Sequence, residues 1–504
     1  MLINRLVPVR IGVVAFLALV SACGGGGSGS GSNAESQRGQ LLGSSTETVK
    51  ADEGAAAIAA VNSPPAQGAL TNLSLLLKTA LPTLNGSAVV SPPGVAFPCG
   101  FKVHKIRYKT VGAAGESASA SAAVYLPTGE GPVCKADKQL PVVMAAHGTT
   151  TNKAYDLSAP ANFSAPSESM LYALLFAAQG YVVVAPNYAG YADSDLGYHP
   201  YLIMEQQAKD MQDALTAAKA SGLFKSNDKL YITGYSQGGA VAVATQRALE
   251  AAGTKPVAVA GLSGPLAMLS FGDRVLSGTV NRGANIFTPM LVTAAQKAYG
   301  NIYNQPGDIY APTFSGFLPN LLPGMNLEGN PNFGSLIAAN MLPDAVSEFG
   351  KGANAILTPA MRNAYLADIS SAQVTNPLRA ALQKNDLRSG WNPAAPLLLC
   401  GASNDGTVFF ENSTVAFIQY VENKRAQLGG THKPLVKLDL YTPPTPADNF
   451  SSLRAAFAAA GLSAQNFDLV RTAVGPNTLD VHSSASPFCY AAALGFFTSI
   501  NNTP

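Results

Sequence analysis

Gly234-Tyr235-Ser236-Gln237-Gly238 constrains this chain more than any other segment. It follows a short apolar run, Lys229-Leu230-Tyr231-Ile232-Thr233, that reads as a strand. It precedes an alanine-rich run over 239–252 that reads as a helix. Strand, G-x-S-x-G, helix is the context of a sharp turn that lifts a serine hydroxyl clear of a sheet. The flanking glycines are required wherever a Cβ would collide with the strand and helix passing close to the turn.

The rest of the chain supplies a sheet for such a turn. Residues 101–110 alternate as a strand, and residues 116–125 form a second, set off by Gly112, Gly115, Pro127 and Gly129. Residues 141–146 and 181–186 are short apolar strands, the first ending at His147-Gly148. Helices are expected over 167–179 and 201–221, and further strands over 257–262, 396–400 and 435–440. A closing helix is expected over 486–500. Buried strands alternating with helices imply an α/β fold with a mostly parallel central sheet covered on both faces. The two early strands give it an antiparallel start, which is the outline of an α/β-hydrolase. Between 266 and 392 the alternation stops. Helical pieces and apolar residues, among them Phe271, Phe287, Phe314, Phe317, Leu318, Leu321, Leu322, Met325 and Phe333, predict a mainly helical lid inserted in the core. A lid of this kind excludes water and offers an apolar groove to a substrate.

A serine hydroxyl is a weak nucleophile until a base within hydrogen-bond reach takes its proton, and that base needs an orienting acid. The chain order on this fold is Ser, acid, His. Only His432 and His482 follow Ser236. His482 lies beyond the last expected strand and before the closing helix, so it is the expected base; His432 reads as an exposed turn residue. The loop after the strand over 396–400 holds one carboxylate, Asp405, the expected acid; Asp480, beside His482, is its rival. The oxyanion formed during acyl transfer needs two N–H donors. Gln237, which follows the serine, supplies one, and Thr149, after His147-Gly148, supplies the other. His147 comes too early in the order to be the base and reads as structural.

The N-terminus reads as an export signal: Arg5 and Arg10, then apolar residues 11–20, then Val20-Ser21-Ala22-Cys23. Small residues before a cysteine resemble the lipobox of bacterial lipoproteins, which implies cleavage after residue 22 and lipid attachment at Cys23. Residues 24–32 are almost wholly Gly and Ser, and polar sequence continues to Lys50, so 23–49 is expected to be a flexible tether. The expected organisation is therefore 1–22 signal, 23–49 lipid-bearing linker, 50–265 first part of the core, 266–392 lid and 393–504 second part of the core. A helical extension over 50–85, broken at Pro64-Pro65, opens that core. The apolar run near the start is too short to span a bilayer, and no later segment reaches about 18 uninterrupted apolar residues. Gly24 lacks the aspartate that retains many lipoproteins in an inner membrane, so outer-membrane anchoring is favoured for this exported chain.

Charge excludes other classes. Only 12% of residues are charged and the net charge is +2, with no basic run, so nucleic acid is a poor partner. Leaving Cys23 aside, Cys99, Cys134, Cys400 and Cys489 make an even set in an exported chain, which predicts two disulfides. Three pairings are possible. Cys99–Cys134 and Cys400–Cys489 are favoured, because the second would pin the loops of Asp405 and His482 together. No Cys or His spacing suits a zinc site, and the chemistry needs no cofactor.

The residues His147-Gly148-Thr149, Ala185-Pro186-Asn187-Tyr188, Gly197-Tyr198-His199-Pro200-Tyr201-Leu202 and Gly234 to Gly239 together resemble α/β-hydrolases of the secretory lipase family, the group of fungal lipase A-type enzymes and their bacterial relatives. The resemblance spans roughly 100–500. It implies ester hydrolysis through an acyl-enzyme, with Asp405 and His482 as acid and base, an apolar acyl ester as substrate, and His199 as a structural residue placing the helix after it. The long stretch from Pro443 to Thr478 departs from that pattern. A peptidase or amidase, a polyester depolymerase, or a non-catalytic binding protein on the same fold remain as alternatives.

Overall fold

The computed structural model describes residues 29–62, 97–163, 167–278, 284–316, 318–320, 356–445, 449–462 and 481–501. The signal, Cys23, the Pro64-Pro65 break, Phe317, Leu321, Leu322, Met325, Phe333, Asp480 and most of 443–478 lie outside them. Among the described residues no helix is long and apolar enough to cross a membrane.

Among the described residues nine strands form one sheet: β1 (Thr46–Val49), β2 (Gly100–Val111), β3 (Ser117–Thr128), β4 (Gln139–Ala146), β5 (Val182–Pro186), β6 (Lys225–Tyr235), β7 (Ala258–Leu262), β8 (Leu397–Gly401) and β9 (Leu435–Asp439). Their order is β1-β2-β3-β5-β4-β6-β7-β8-β9. β1, β2 and β3 pair antiparallel, as do β3 and β5; every pair from β5 to β9 is parallel. The antiparallel start follows from the tight turn at Gly112 to Gly115, where Gly115 takes φ 82°. The parallel strands bury both faces, so their side chains alternate between two cores rather than between core and water. Val142, Met144, Val184, Ile232 and Leu397 face one side. Val143, Ala145, Val183, Tyr231 and Leu398 face the other.

Among helices of seven or more residues, α1 is Gly29–Ser36, α2 Ala51–Asn62, α3 Glu168–Leu175, α4 Met204–Ala220 and α5 Gln237–Ala251. The first core is closed by α4 and α5, through Met211 and Val243 among others. The second is closed by α3 and by the last helix, Val481–Asn501, through Leu174, Phe488 and Phe497. Between β7 and β8 lie α6 (Met268–Leu276), α7 (Ala284–Tyr299), α8 (Pro359–Ile369) and α9 (Pro377–Lys384), the helical insertion expected from the sequence. Arg379 of α9 ties three of them together: its guanidinium donates to Asp273 of α6 at 2.8 and 2.9 Å and to Asp368 of α8 at 3.2 Å. After β8 come α10 (Ala416–Leu428), α11 (Ser451–Phe457) and α12 (Val481–Asn501).

The expected tether over 23–49 is corrected in its second half. Residues 29–36 are helical, and Thr46–Val49 pairs with β2 as an edge strand. An open edge on β2 leaves backbone groups to satisfy, and β1 together with Leu42 N–H, which donates to Arg107 O at 2.8 Å, satisfies them. Arg38 then pairs with the buried Asp213 at 3.0 Å, so this arm is bound to the core by charge as well as backbone. In the expected N-terminal helical extension, the described part is α2, which ends at Asn62.

Candidate active site

Ser236 stands between the end of β6 and the first residue of α5, at φ 58° and ψ −123°. A non-glycine residue at positive φ is uncommon and costs of order 1–3 kcal/mol. The turn is that tight because backbones cross above and below it. A Cβ on Gly238 would lie 1.9 Å from Ala146 O, and one on Gly234 2.3 Å from Gly238 O. Ser236 N–H donates to Leu262 O at 2.9 Å, which fixes the turn to β7.

Three side chains remote in sequence meet here. Ser236 Oγ is 2.8 Å from His482 Nε2, and His482 Nδ1 is 2.6 Å from Asp405 Oδ2. Asp405 follows β8 and is 5% exposed; its other oxygen, Oδ1, accepts the N–H groups of Thr407 at 2.8 Å and Val408 at 2.9 Å. His482 lies in the first turn of α12, not in a loop before a helix starting near Ser486, because α12 begins at Val481 and carries Pro487 inside it. Tyr235 Oη donates to His482 O at 2.5 Å and holds that turn against the elbow. His432 is exposed.

The cysteines pair as favoured. Cys99 bonds Cys134, with Cα atoms 5.2 Å apart, and Cys400 bonds Cys489 at 5.6 Å. The second bridge joins the end of β8, which leads to Asp405, to the helix that carries His482.

The expected N–H donors flank Ser236. Gln237 is the first residue of α5, where a helix leaves its N–H groups without intrahelical acceptors. Thr149 borders the same cavity as Ser236 and His482, and its Oγ1 lies 3.1 Å from Tyr201 Oη. His147 beneath it is fully buried, stacked on Tyr188 at 4.1 Å, with its ring nitrogens 2.6 Å from Gly148 O and 3.1 Å from Asn187 O. Burial lowers it to about 4, so it is neutral and structural.

Two further residues bear on the site. His199 does more than place α4. Its Nδ1 is 2.9 Å from Ala189 O, which makes Nδ1 the donor and leaves Nε2 to accept from Gln237 Nε2 at 2.7 Å. Burial lowers His199 to about 3, so that tautomer persists across neutral pH. Glu168, in the first turn of α3, borders the same cavity as Ser236 and His482, and accepts Gly148 N–H at 2.9 Å. Both contacts are long-range, and no local pattern in the sequence announces either.

Among the described residues, two cavities border Ser236. One is a narrow apolar slot of about 60 Å³ between the elbow and the insertion, lined by Met268, Phe271, Val275, Phe287, Leu291 and Leu382. The other is a wider, more polar cleft of about 440 Å³, lined by Thr149, Glu168, Thr407, His482, Ser483 and Ser486. Phe287 and Thr407 border both. Of the expected apolar lid residues, Phe271 and Phe287 reach the slot, whereas Phe314 and Leu318 pack in the core.

A mostly parallel sheet, a serine on a strand–helix elbow and helices inserted between β7 and β8 define an α/β-hydrolase. The Prolyl oligopeptidase family matches residues 167–263, the stretch from α3 through the elbow to β7. Among solved structures, the rice cell wall degrading esterase LipA from Xanthomonas oryzae is similar at 24% identity, over 90% of this chain and 97% of that one, with a TM-score of 0.63. Its ligand-bound form is similar at 26% identity, over 86% and 98%, with a TM-score of 0.62. Lipase A of Candida antarctica shares the fold at 14% identity, over 81% and 79%, with a TM-score of 0.50. No curated protein matches the chain by sequence.

Proposed function

We propose that this chain is a serine carboxylester hydrolase, an esterase or lipase. The observation that carries the reading is the unbroken line from Ser236 Oγ through His482 to Asp405, at 2.8 and 2.6 Å. Both contacts are within proton-transfer reach. In the proposed cycle His482 Nε2 takes the Ser236 proton as Oγ attacks the ester carbonyl. The carbonyl oxygen becomes an oxyanion held by Gln237 and Thr149 N–H, while Asp405 stabilises the imidazolium. The C–O bond to the leaving alcohol then breaks, and Nε2 returns the proton to that alcohol. Water enters, gives a proton to Nε2 and attacks the acyl carbon; the bond from that carbon to Ser236 Oγ then breaks, Nε2 returns the proton to Oγ, and the acid leaves.

The two cavities divide the substrate. The apolar slot under the insertion suits the acyl chain, and its width favours a slender one. The open polar cleft suits the leaving alcohol and the water that follows it. Similarity to an esterase supports this reading, and the insertion then acts as the lid. We also place the enzyme outside the cytoplasm, tethered to a membrane through lipid on Cys23; a Cys23→Ser variant that still incorporates labelled palmitate would refute that.

The match to the prolyl oligopeptidases keeps a peptidase as the second reading. One experiment separates the two. Purified protein is offered p-nitrophenyl esters of increasing chain length and peptide p-nitroanilides, beside Ser236→Ala. We expect turnover of the esters, no turnover of the anilides, and loss of both turnover and fluorophosphonate labelling in the variant. Wild-type-like ester turnover by Ser236→Ala would end the proposal.

A further inference from the structure

Glu168 has no part in the cycle above, yet its carboxyl is the most constrained acidic group beside it. An acidic residue in the first turn of a helix needs only solvent and the helix dipole. Glu168 instead turns inward. It keeps a partly exposed edge toward the cleft and is otherwise enclosed by protein, and that burial pushes its carboxyl up to about 7. Inward rotation of a carboxylate is unfavourable unless its oxygens find donors. Here Oε2 accepts Gly148 N–H at 2.9 Å. Oε1 accepts Tyr490 Oη at 3.0 Å and Tyr172 Oη at 3.4 Å, and the two tyrosine hydroxyls are 3.2 Å apart.

These partners lie on three different elements. Gly148 is in the loop after β4, Tyr172 is on α3 itself, and Tyr490 is on α12, the helix whose first turn carries His482. One carboxyl therefore ties the loop that presents Thr149 to the helix that presents the base. A Cβ on Gly148 would sit in ordinary contact, 3.4 Å from Glu168 Oε2 and 3.6 Å from Tyr235 O, so the loop is packed against both without strain. With its own N–H committed to Glu168, Gly148 has the peptide plane before it fixed, and the next plane, which carries Thr149 N–H, has its carbonyl 2.6 Å from His147 Nδ1.

We infer that Glu168 is a positioning residue for the oxyanion: by holding Gly148 N–H it aims Thr149 N–H at the oxygen that becomes charged on Ser236. It acts through Gly148 and exchanges no proton in the cycle. The inference rests on the ester-hydrolase reading.

The test compares Glu168→Ala and Glu168→Gln in the full chain. Measured are kcat and KM on a p-nitrophenyl ester, the inhibition constant of a trifluoromethyl ketone with the same acyl chain, and the urea unfolding midpoint. The ketone adds Ser236 Oγ and forms a tetrahedral oxyanion, so it reads the donor pair directly. Glu168→Ala leaves Gly148 N–H unpaired and frees the loop. Its kcat is expected to fall about 10- to 100-fold with KM within about twofold, and its ketone affinity to fall by the same factor as kcat/KM. Glu168→Gln keeps an oxygen for Gly148 N–H and an NH₂ for Tyr490 Oη, and is expected to restore kcat to within about fivefold of wild type.

Wild-type kcat in Glu168→Ala would overturn the inference. So would a lowered kcat with ketone inhibition unchanged, which would mark a role in folding only, or a Gln variant as impaired as the Ala variant. A wild-type chain without Ser236-dependent ester turnover would instead overturn the ester reading and this inference together.

Discussion

Asp405→Asn isolates the part of the site on which the proposed chemistry most depends. Asp405 Oδ1 accepts two backbone N–H groups, from Thr407 at 2.8 Å and Val408 at 2.9 Å. An asparagine at this position must place its carbonyl oxygen there, because its NH₂ would face two donors. The NH₂ is then directed at His482 Nδ1, where the carboxylate oxygen stood 2.6 Å away. Nδ1 becomes an acceptor, and the single imidazole proton moves to Nε2, facing Ser236 Oγ. A nitrogen that already carries a proton cannot take one from serine. The substitution is nearly isosteric, so the fold should be kept while the base is lost. A histidine held in the wrong tautomer costs a Ser-His-Asp triad about 10⁴-fold in kcat, equivalent to about 5 kcal/mol of barrier. The assay is kcat on a p-nitrophenyl ester from pH 6 to 10, with near-ultraviolet dichroism to verify the fold. Proton NMR reads the tautomer: the low-field Nδ1 proton of the wild type should vanish. A folded variant that keeps kcat within about tenfold of wild type and retains that resonance would refute the argument.

Two other perturbations follow. The Cys400–Cys489 bridge closes a loop with a sequence separation of 89, so Cys400→Ser with Cys489→Ser should lose about 4–5 kcal/mol of stability by loop entropy; a urea midpoint equal to that of wild type would show that the bridge constrains nothing. His147 and His199, held by burial at about 4 and about 3, contribute stability above their unfolded value near 6.5 that is lost as pH falls, whereas Glu168 and Asp210, both raised to about 7, contribute stability below about pH 4 that is lost as pH rises toward 7. The opposite slopes offset each other between about pH 4.5 and 6.5, and below about pH 4 His147 is itself protonated in the folded state, so these four groups should leave urea unfolding nearly flat across that interval with only a modest further loss toward about pH 3; a slope above about 1.4 kcal/mol per pH unit within that interval would contradict the assignment.

Residues whose meaning is local were legible before any coordinates. The elbow announces itself because a strand pattern, two glycines about a serine and a helix pattern must sit next to each other. The parallel strands announce themselves as unbroken apolar runs such as Val182 to Pro186. His482 was legible by elimination, since only two histidines follow Ser236. Its placement on a helix was not, because Pro487 argues for a helix starting at or beyond it, whereas α12 tolerates the proline near its first turns. β1 was hidden for a different reason. Four residues, Thr46–Val49, carry little strand signal alone, and their order comes from pairing with β2 and from the Arg38 contact with Asp213. Glu168 and His199 were illegible as neighbours of the elbow because their partners, Gly148 and Gln237, lie 20 and 38 positions away.

The crowding around Ser236 also limits how this site can diversify. With a Cβ on Gly234, Gly238 or Gly239 falling within 2.3 Å of a backbone oxygen, no side chain can be added to the turn without rebuilding the sheet. Variation that leaves the reaction intact is therefore channelled outward, to rims and walls such as Phe287, Leu291 and Ser486. A library confined to those positions explores new specificities at little risk, whereas one that includes the glycines mostly samples failures to fold.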